Sequence, residues 1–359
     1  MQEEQQEFLQ RLLETPSPTG SEMPVAGLLR KRFDGVATEV RTDVMGSVHA
    51  RVEGKGTGPS CMMCAHMDEV GLMVTYISDE GYLSVAAIGG VDAAVLPGMR
   101  VDVHTQGGAL RGVVGRKPIH LIDADERKKV TPLDKLVIDL GLPGEEVKRV
   151  VRIGDSITYG VGFETFGADM AVSRAFDDKA GVWILSQVLE AVQAAGGAEG
   201  DFIMAATVQE EIGTRGATTS AYGVAPDVAV AFDVTHATDY PGIEQAKYGK
   251  IVCGEGPVIA RGPNINPVVF NRLVAAAEAE GIPYQIEAEP SVTGTDARAV
   301  QIARGGIPTG LVSIPLRYMH TPTEVVCLRD VEAAVKLLSR FVLDLDEDVC
   351  FVPGMDLEA

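Results

Sequence analysis

The hydrophobic pattern divides the chain into three stretches. EEQQEFLQRLLE reads as an acidic amphipathic helix, and TPSPTGSE then supplies turn residues, with Ser21 as a cap for a second helix, MPVAGLLRKRF. Strands are predicted around VATEVRTDVMGSVHARV and SCMMCAH. From about Leu72 to Tyr159 the segments become short, β-like and punctuated by glycine: LMVTYIS, YLSVAAIGG, RVDVHTQ, ALRGVVGRKP, LVIDLG and SITY. No long amphipathic helix interrupts them, which predicts a small barrel or sandwich. After about Gly160 helix and strand alternate again. DDKAGVWILSQVLEAVQAAGG is a long apolar-faced helix ended by glycine, followed by the strand DFIMAATVQ, a helix near TRGATTSAYG and the strand DVAVAF. NPVVFNRLVAAAEAEG (helix), YQIEAEP (strand), TDARAVQIARGG (helix), LVSIPL (strand) and RDVEAAVKLLSRFVLDL (helix) follow. The expectation is an α/β domain split into residues 1–70 and 160–359, with a β-rich insertion at 71–159.

At 359 residues and 46% hydrophobic the chain can bury a sizeable core, in one large or two ordinary domains. Its 51 acidic against 31 basic residues give a net charge of −20, which argues against a nucleic-acid or anionic-membrane surface. No window is apolar enough to span a bilayer, and the acidic first helix does not read as a signal peptide. Five cysteines fit a reducing cytoplasm better than a disulfide framework. Cys61 and Cys64 form a CxxC, but on a strand residues three apart point to opposite faces, so the pair is expected to be structural.

The same pattern places candidate chemistry. SCMMCAHMDEVG runs into His66 and Asp68, DFIMAATVQEEIG into Glu210 and Glu211, DVAVAFDVT into Asp233, and TGLVSIPLRYMHTPTE into His320. SRAFDDKAG puts Asp177 and Asp178 just before a helix, and after His320 the residues Thr321, Pro322 and Glu324 read as a turn that can open a helix. In an open α/β sheet ligands gather outside the carboxyl ends of the strands, so these groups are expected to converge on one cleft. Each has a bland reading as well: Asp177 and Asp178 as a helix cap with a dipole-favourable acid, Glu210 and Glu211 as a solvated strand end, the His66–Asp68 spacing as incidental. Asp233 at the end of an apolar strand requires a cation or hydrogen-bond donors nearby. Taken together, two histidines and several carboxylates suffice for two divalent ions sharing a carboxylate bridge, of zinc, cobalt or manganese type. A carboxylate beside them can fix a histidine tautomer, as Asp68 would for His66. GTDA at Gly294–Ala297 reads as a turn and helix cap whose amides can face the cleft. His49, His104 and His120 lie in β-like segments read as surface and structural, and His236 is a weaker candidate for the cleft.

AHMDEVG, FDDKAG, VQEEIG, AFDVT, GTDA and MHTPTE, with RKPIHL in the β-rich stretch, closely resemble the tetrahedral (TET) aminopeptidase family over essentially the whole chain. The resemblance implies a zinc-peptidase-like α/β/α sandwich with a small all-β, PDZ-like insertion used for dimerisation, and six dimers forming a dodecamer. It implies two divalent ions per subunit: Asp177 bridges both, one also takes His66 and Asp233, and the other takes Glu211 and His320. Glu210 is then the general base that activates the bridging water, Asp68 orients His66, and the substrates are peptides cleaved at a free N-terminus. The alternatives are a related dinuclear amidohydrolase (deacetylase or carboxypeptidase) and a glycoside hydrolase. The latter needs two carboxylates without metals, and the chain has one tryptophan and 5% aromatics for sugar stacking. A metal-binding assembly without catalysis is the non-enzymatic reading.

Overall fold

Three strands of six or more residues show no alternation of buried and exposed positions. Cys61–His66, Phe202–Thr207 and Thr309–Leu316 are buried at every position. Such runs need cover on both faces, as parallel strands in α/β sheets receive. The computed structural model describes residues 1–123 and 125–355 and places these strands in an eight-stranded sheet. Residue 124, inside the β-rich stretch, and residues 356–359, at the end of the second α/β segment, lie outside the described residues.

The sheet order is Glu39–Thr42, Val48–Val52, Phe202–Thr207, Cys61–His66, Val228–His236, Thr309–Leu316, Val258–Arg261, Gln285–Ala288. The four central strands, Phe202–Thr207 to Thr309–Leu316, run parallel, so their carboxyl ends lie together; Thr207 is in register with His66 and Asp233 with Ser313. Helix Phe176–Ala194 packs across the inner strands and against the C-terminal helix Leu328–Leu343, while Arg215–Val224 and Ala297–Gln301 pack on each other and on the same sheet. The sheet therefore runs between helical layers, an α/β/α sandwich. In the N-terminal helix Glu3–Glu14, Leu9, Leu12 and Leu13 are buried three and four apart, and the Trp183 indole donates to Gln5 O at 3.0 Å.

Between residues 71 and 159 six antiparallel strands close into a barrel, in the order Gly71–Ile77, Leu83–Ile88, Val137–Asp139, Gly108–Gly115, Arg100–Thr105, Ser156–Tyr159. Leu72, Val74, Leu83, Val101, Ile138 and Ile157 give it a core separate from that of the sandwich.

Several local expectations need correction. Glu22, not Ser21, precedes the second helix, and it makes no side-chain cap bond. TDARAVQIARGG yields a helix of only five residues, Ala297–Gln301, because Arg304 and Gly306 adopt left-handed backbone. His49 is not on the surface: it is buried in Val48–Val52, with Nε2 2.8 Å from Ser220 Oγ. MHTPTE was expected to turn into a helix, but Glu324–Cys327 is a strand in a second sheet with Glu164–Phe166 and Met170–Ser173. That sheet pairs Ser173 with Glu324 and so draws the approach to Asp177 beside the exit from His320. No helix among the described residues is long and apolar enough to cross a membrane.

Candidate active site

The structure brings His66, Asp68, Asp177, Glu210, Glu211, Asp233 and His320 to one place at the carboxyl ends of the parallel strands, by routes that differ from those expected. His66 is the last residue of its strand. Asp233 lies inside Val228–His236 rather than at its end. Strand Phe202–Thr207 stops before Glu210 and Glu211, and Gln209 takes φ 56°, so the acid pair sits in a turn and not on strand faces. His320 also lies beyond its strand, in left-handed backbone at φ 60°. Asp177 and Asp178 occupy the non-helical start of Phe176–Ala194 and are joined by a cis peptide.

Asp177 is central. Its Oδ1 lies 3.0 Å from His66 Nε2 and its Oδ2 3.2 Å from His320 Nε2. His320 Nε2 is also 3.3 Å from Glu211 Oε1, and His66 Nε2 is 4.0 Å from Asp233 Oδ1. Each imidazole turns its other nitrogen to a backbone carbonyl: His66 Nδ1 to Asp68 O at 3.1 Å, His320 Nδ1 to Gly90 O at 2.9 Å. A carbonyl only accepts, so Nδ1 carries the proton in both rings and Nε2 faces carboxylate oxygens. A positive charge, proton or metal ion, must then lie between ring and acids.

The electrostatics agree. Burial opposes protonation of His320, yet Asp177 and Glu211 outweigh it and raise the ring to about 11. His66 is raised in the same way, against burial, by Asp177 and Asp68. Burial pushes Asp233, Asp178 and Glu211 above the ordinary carboxylate range, and Glu210 to about 9. Asp177 alone is held below that range, because its bonds to His320 and His66 overcome burial. Acids outnumber rings, and among the described residues Asp178 Oδ2 and Asp296 Oδ1 are buried without a hydrogen-bond donor. His66, Asp177 and Glu211 offer ligand atoms within 4.8 Å of one another, as do His66, Asp178 and Asp233. Imidazole nitrogens with several carboxylates suit a zinc-, cobalt- or manganese-type ion, so the residues present fit a bound metal.

Two further acids organise the cluster from behind. Asp68 accepts the amides of Glu210 (3.0 Å) and Glu211 (3.2 Å) and the Thr19 hydroxyl (2.7 Å). Glu324 accepts the His320 amide at 2.9 Å and the Asp177 amide at 3.2 Å. Glu324 was read from the sequence only as part of a turn; its signal was a carboxylate directly before the apolar run VVC. Asp296 of GTDA does not cap its helix: it is buried, accepts from Thr207 Oγ1 at 2.6 Å, and burial raises it to about 6 with His66 as a charged neighbour. His236 ends its strand with Asp177 and His320 as charged neighbours, whereas His104 (bonded to Thr158) and exposed His120 lie in the barrel stretch. Cys61 and Cys64 are buried in the central strand, with their thiol pKa values raised by burial.

Adjacent imidazoles and carboxylates buried at the strand ends of an α/β/α sandwich define a metal-dependent hydrolase. Residues 46–337 match the family model of M42 glutamyl aminopeptidase. The lysyl aminopeptidase of Pyrococcus furiosus is 36% identical over 94% of this chain and 97% of its own length. A TET aminopeptidase from the marine sediment archaeon Thaumarchaeota archaeon SCGC AB-539-E09 superposes with a TM-score of 0.91 at 32% identity, covering 96% of this chain and 97% of that one. Pyrococcus horikoshii TET1 peptidase, which can assemble into a tetrahedron or a large octahedral shell, superposes at 0.83 with 32% identity, over 95% and 100% of the two chains. The chain belongs to the M42 glutamyl aminopeptidase family, and it is a metal-dependent aminopeptidase.

Proposed function

We propose that this aminopeptidase works with two divalent ions, zinc or cobalt and less favourably manganese. His66, Asp177 and Asp233 would hold one, and Asp177, Glu211 and His320 the other. The observation that supports this reading is the division of Asp177: one carboxylate oxygen faces each histidine Nε2. Such ions, when bound, polarise a carbonyl and acidify water.

The remaining chemistry belongs to the chain. Glu210 is the general base: buried at the cluster and left out of the ligand set, its carboxylate can take a proton from water and return it to the leaving amine. Asp68 fixes the His66 ring and, through the two amides it accepts, the direction of Glu210 and Glu211. The buried acids of the cleft give a substrate α-ammonium group a favourable partner, which confines cleavage to the first residue of a peptide. Tyr76, Tyr82, Val113, Ile119 and Leu121, each exposed in the barrel stretch, support self-association through the insertion. Dimers building to a dodecamer follow by analogy with the relatives, and the free cysteines suit a reducing cytoplasm.

The test is hydrolysis of an aminoacyl-p-nitroanilide panel by chelator-stripped protein, with and without added zinc or cobalt, beside N-acetylated controls. Metal-dependent cleavage of the free-amine substrates alone is the expected result. Cleavage of the acetylated controls would overturn the N-terminal restriction, and light scattering on the same sample reads the assembly.

A further inference from the structure

One contact joins the barrel to the cluster. Strand Leu83–Ile88 leads into Gly89 and Gly90, and the Gly90 carbonyl lies 2.9 Å from His320 Nδ1. Among the described residues it is the hydrogen-bond partner of that nitrogen. The fit leaves no room for a side chain: a Cβ on Gly90 would meet His320 Nδ1 at 2.8 Å and Cε1 at 3.1 Å. Gly89, at φ 74°, would bring a Cβ within 3.0 Å of Val70 Cγ1 and 3.3 Å of Glu211 Cβ. The His320 side chain keeps 29% of its surface exposed, so packing alone does not set its ring.

We infer that the Gly90 carbonyl is a positioning group for His320: the barrel supplies the acceptor that keeps Nδ1 protonated and turns Nε2 toward Asp177 and Glu211. The insertion thus completes the site of the sandwich, and capture of one metal ion depends on the barrel standing where it does. The inference rests on the ligand set proposed above. A carbonyl in this position fixes the tautomer and raises the basicity of the ligating nitrogen, and losing such a partner weakens metal affinity about 10- to 100-fold.

The test is calorimetric zinc titration of the stripped full-length chain, comparing wild type, Gly90→Ala, His320→Ala and the double variant. Gly107→Ala serves as a barrel control, since its Cβ meets nothing nearer than Thr105 Oγ1 at 3.7 Å. Gly90→Ala is expected to weaken one of two binding events about 10- to 100-fold and leave the other unchanged, with Gly107→Ala like wild type. In the double variant the Gly90 change should add nothing to His320→Ala, because it acts through that ring. Wild-type affinities in Gly90→Ala, or additive losses in the double variant, would overturn the inference while leaving the ligand set standing. Two unchanged events in His320→Ala would overturn the ligand set and the inference with it. Solid-state NMR of the zinc-loaded, ¹⁵N-histidine-labelled wild type reads the ring directly, without the Gly90 substitution. With His320 assigned by its loss in His320→Ala, a protonated Nδ1 is expected, and a bare Nδ1 overturns the inference.

Discussion

Asp68 Oδ1 accepts the backbone amide of Glu210 at 3.0 Å, so the acid beside His66 also aims the residue proposed as the base. Its other oxygen takes the Glu211 amide and the Thr19 hydroxyl. Asp68→Ala leaves these buried donors without an acceptor, at about 1–3 kcal/mol for each unsatisfied group. Denaturant unfolding of the metal-stripped variant should show a loss of at least about 2 kcal/mol. Steady-state kinetics with added metal should show kcat/KM down about 10- to 100-fold. Wild-type stability and rate together would remove Asp68 from this organising role.

Glu210→Gln keeps size and shape but cannot take a proton. Metal content should match wild type, because Glu210 is not among the proposed ligands, while kcat should fall about 10²- to 10⁴-fold. The checks are metal analysis and single-turnover kinetics on the same preparation. A variant that keeps more than a few per cent of the wild-type rate would assign the base elsewhere.

The two kinds of information in this chain were not equally legible. His66, Asp177, Glu211, Asp233 and His320 stand out because each follows or opens an apolar run, and burial of such runs forces their polar neighbours to the sheet's ends. What surrounds them was not legible for a physical reason. Gln209 in left-handed backbone turns Glu210 and Glu211 off the strand, and no local pattern marks it. The Asp296 carboxyl had a good local reading as a cap, and a tertiary partner, Thr207, overrode it. Glu324 and Gly90 act through contacts with residues brought close by sheet pairing and by the barrel, and hydrophobic period carries no trace of either. The Met170–Ser173 and Glu324–Cys327 strands were missed because each is short and runs into a strong helical pattern, starting at Phe176 and at Leu328, that dominates the local reading.

Glu69 is buried between Arg174 and Lys179 and also accepts the Ser17 amide at 2.9 Å. Arg174 and Lys179 in turn donate to Glu14 O at 2.9 Å and Thr15 O at 2.6 Å, tying the first helix to the approach to Asp177. Burial alone would raise the Glu69 carboxyl, but the two cations hold it at about 2, against an ordinary 4.5. A depressed folded value stabilises above the unfolded value, so this contribution is present above pH 4.5 and is lost as pH falls toward 2. Glu69→Gln leaves two buried cations short of their anion and should cost about 3–5 kcal/mol at neutral pH. It should also flatten the decline in stability between pH 4.5 and pH 3 relative to wild type. Denaturant midpoints across that range decide it, and parallel declines in the two proteins would show that Glu69 is not the titrating group.

Metal removal should act on stability as well as rate. In stripped protein Glu210 is raised to about 9 by burial, with Asp233, Asp296 and Glu211 adding to the rise and His66 opposing it. A raised folded value stabilises below the unfolded one, ordinarily 4.5, and the contribution fades as pH climbs through 9. Stripped protein should therefore lose stability steadily from pH 5 to pH 9. Bound divalent cations replace protons as the counter-charge of these acids, so metal-loaded protein should lose much less over the same range. At a free metal concentration 100 times Kd the loaded form should gain about 2.7 kcal/mol for each site. Calorimetric Tm values at pH 6 and pH 9, with and without zinc, test the pair of expectations. An equal pH dependence in both forms would mean that the cations do not bind among these carboxylates.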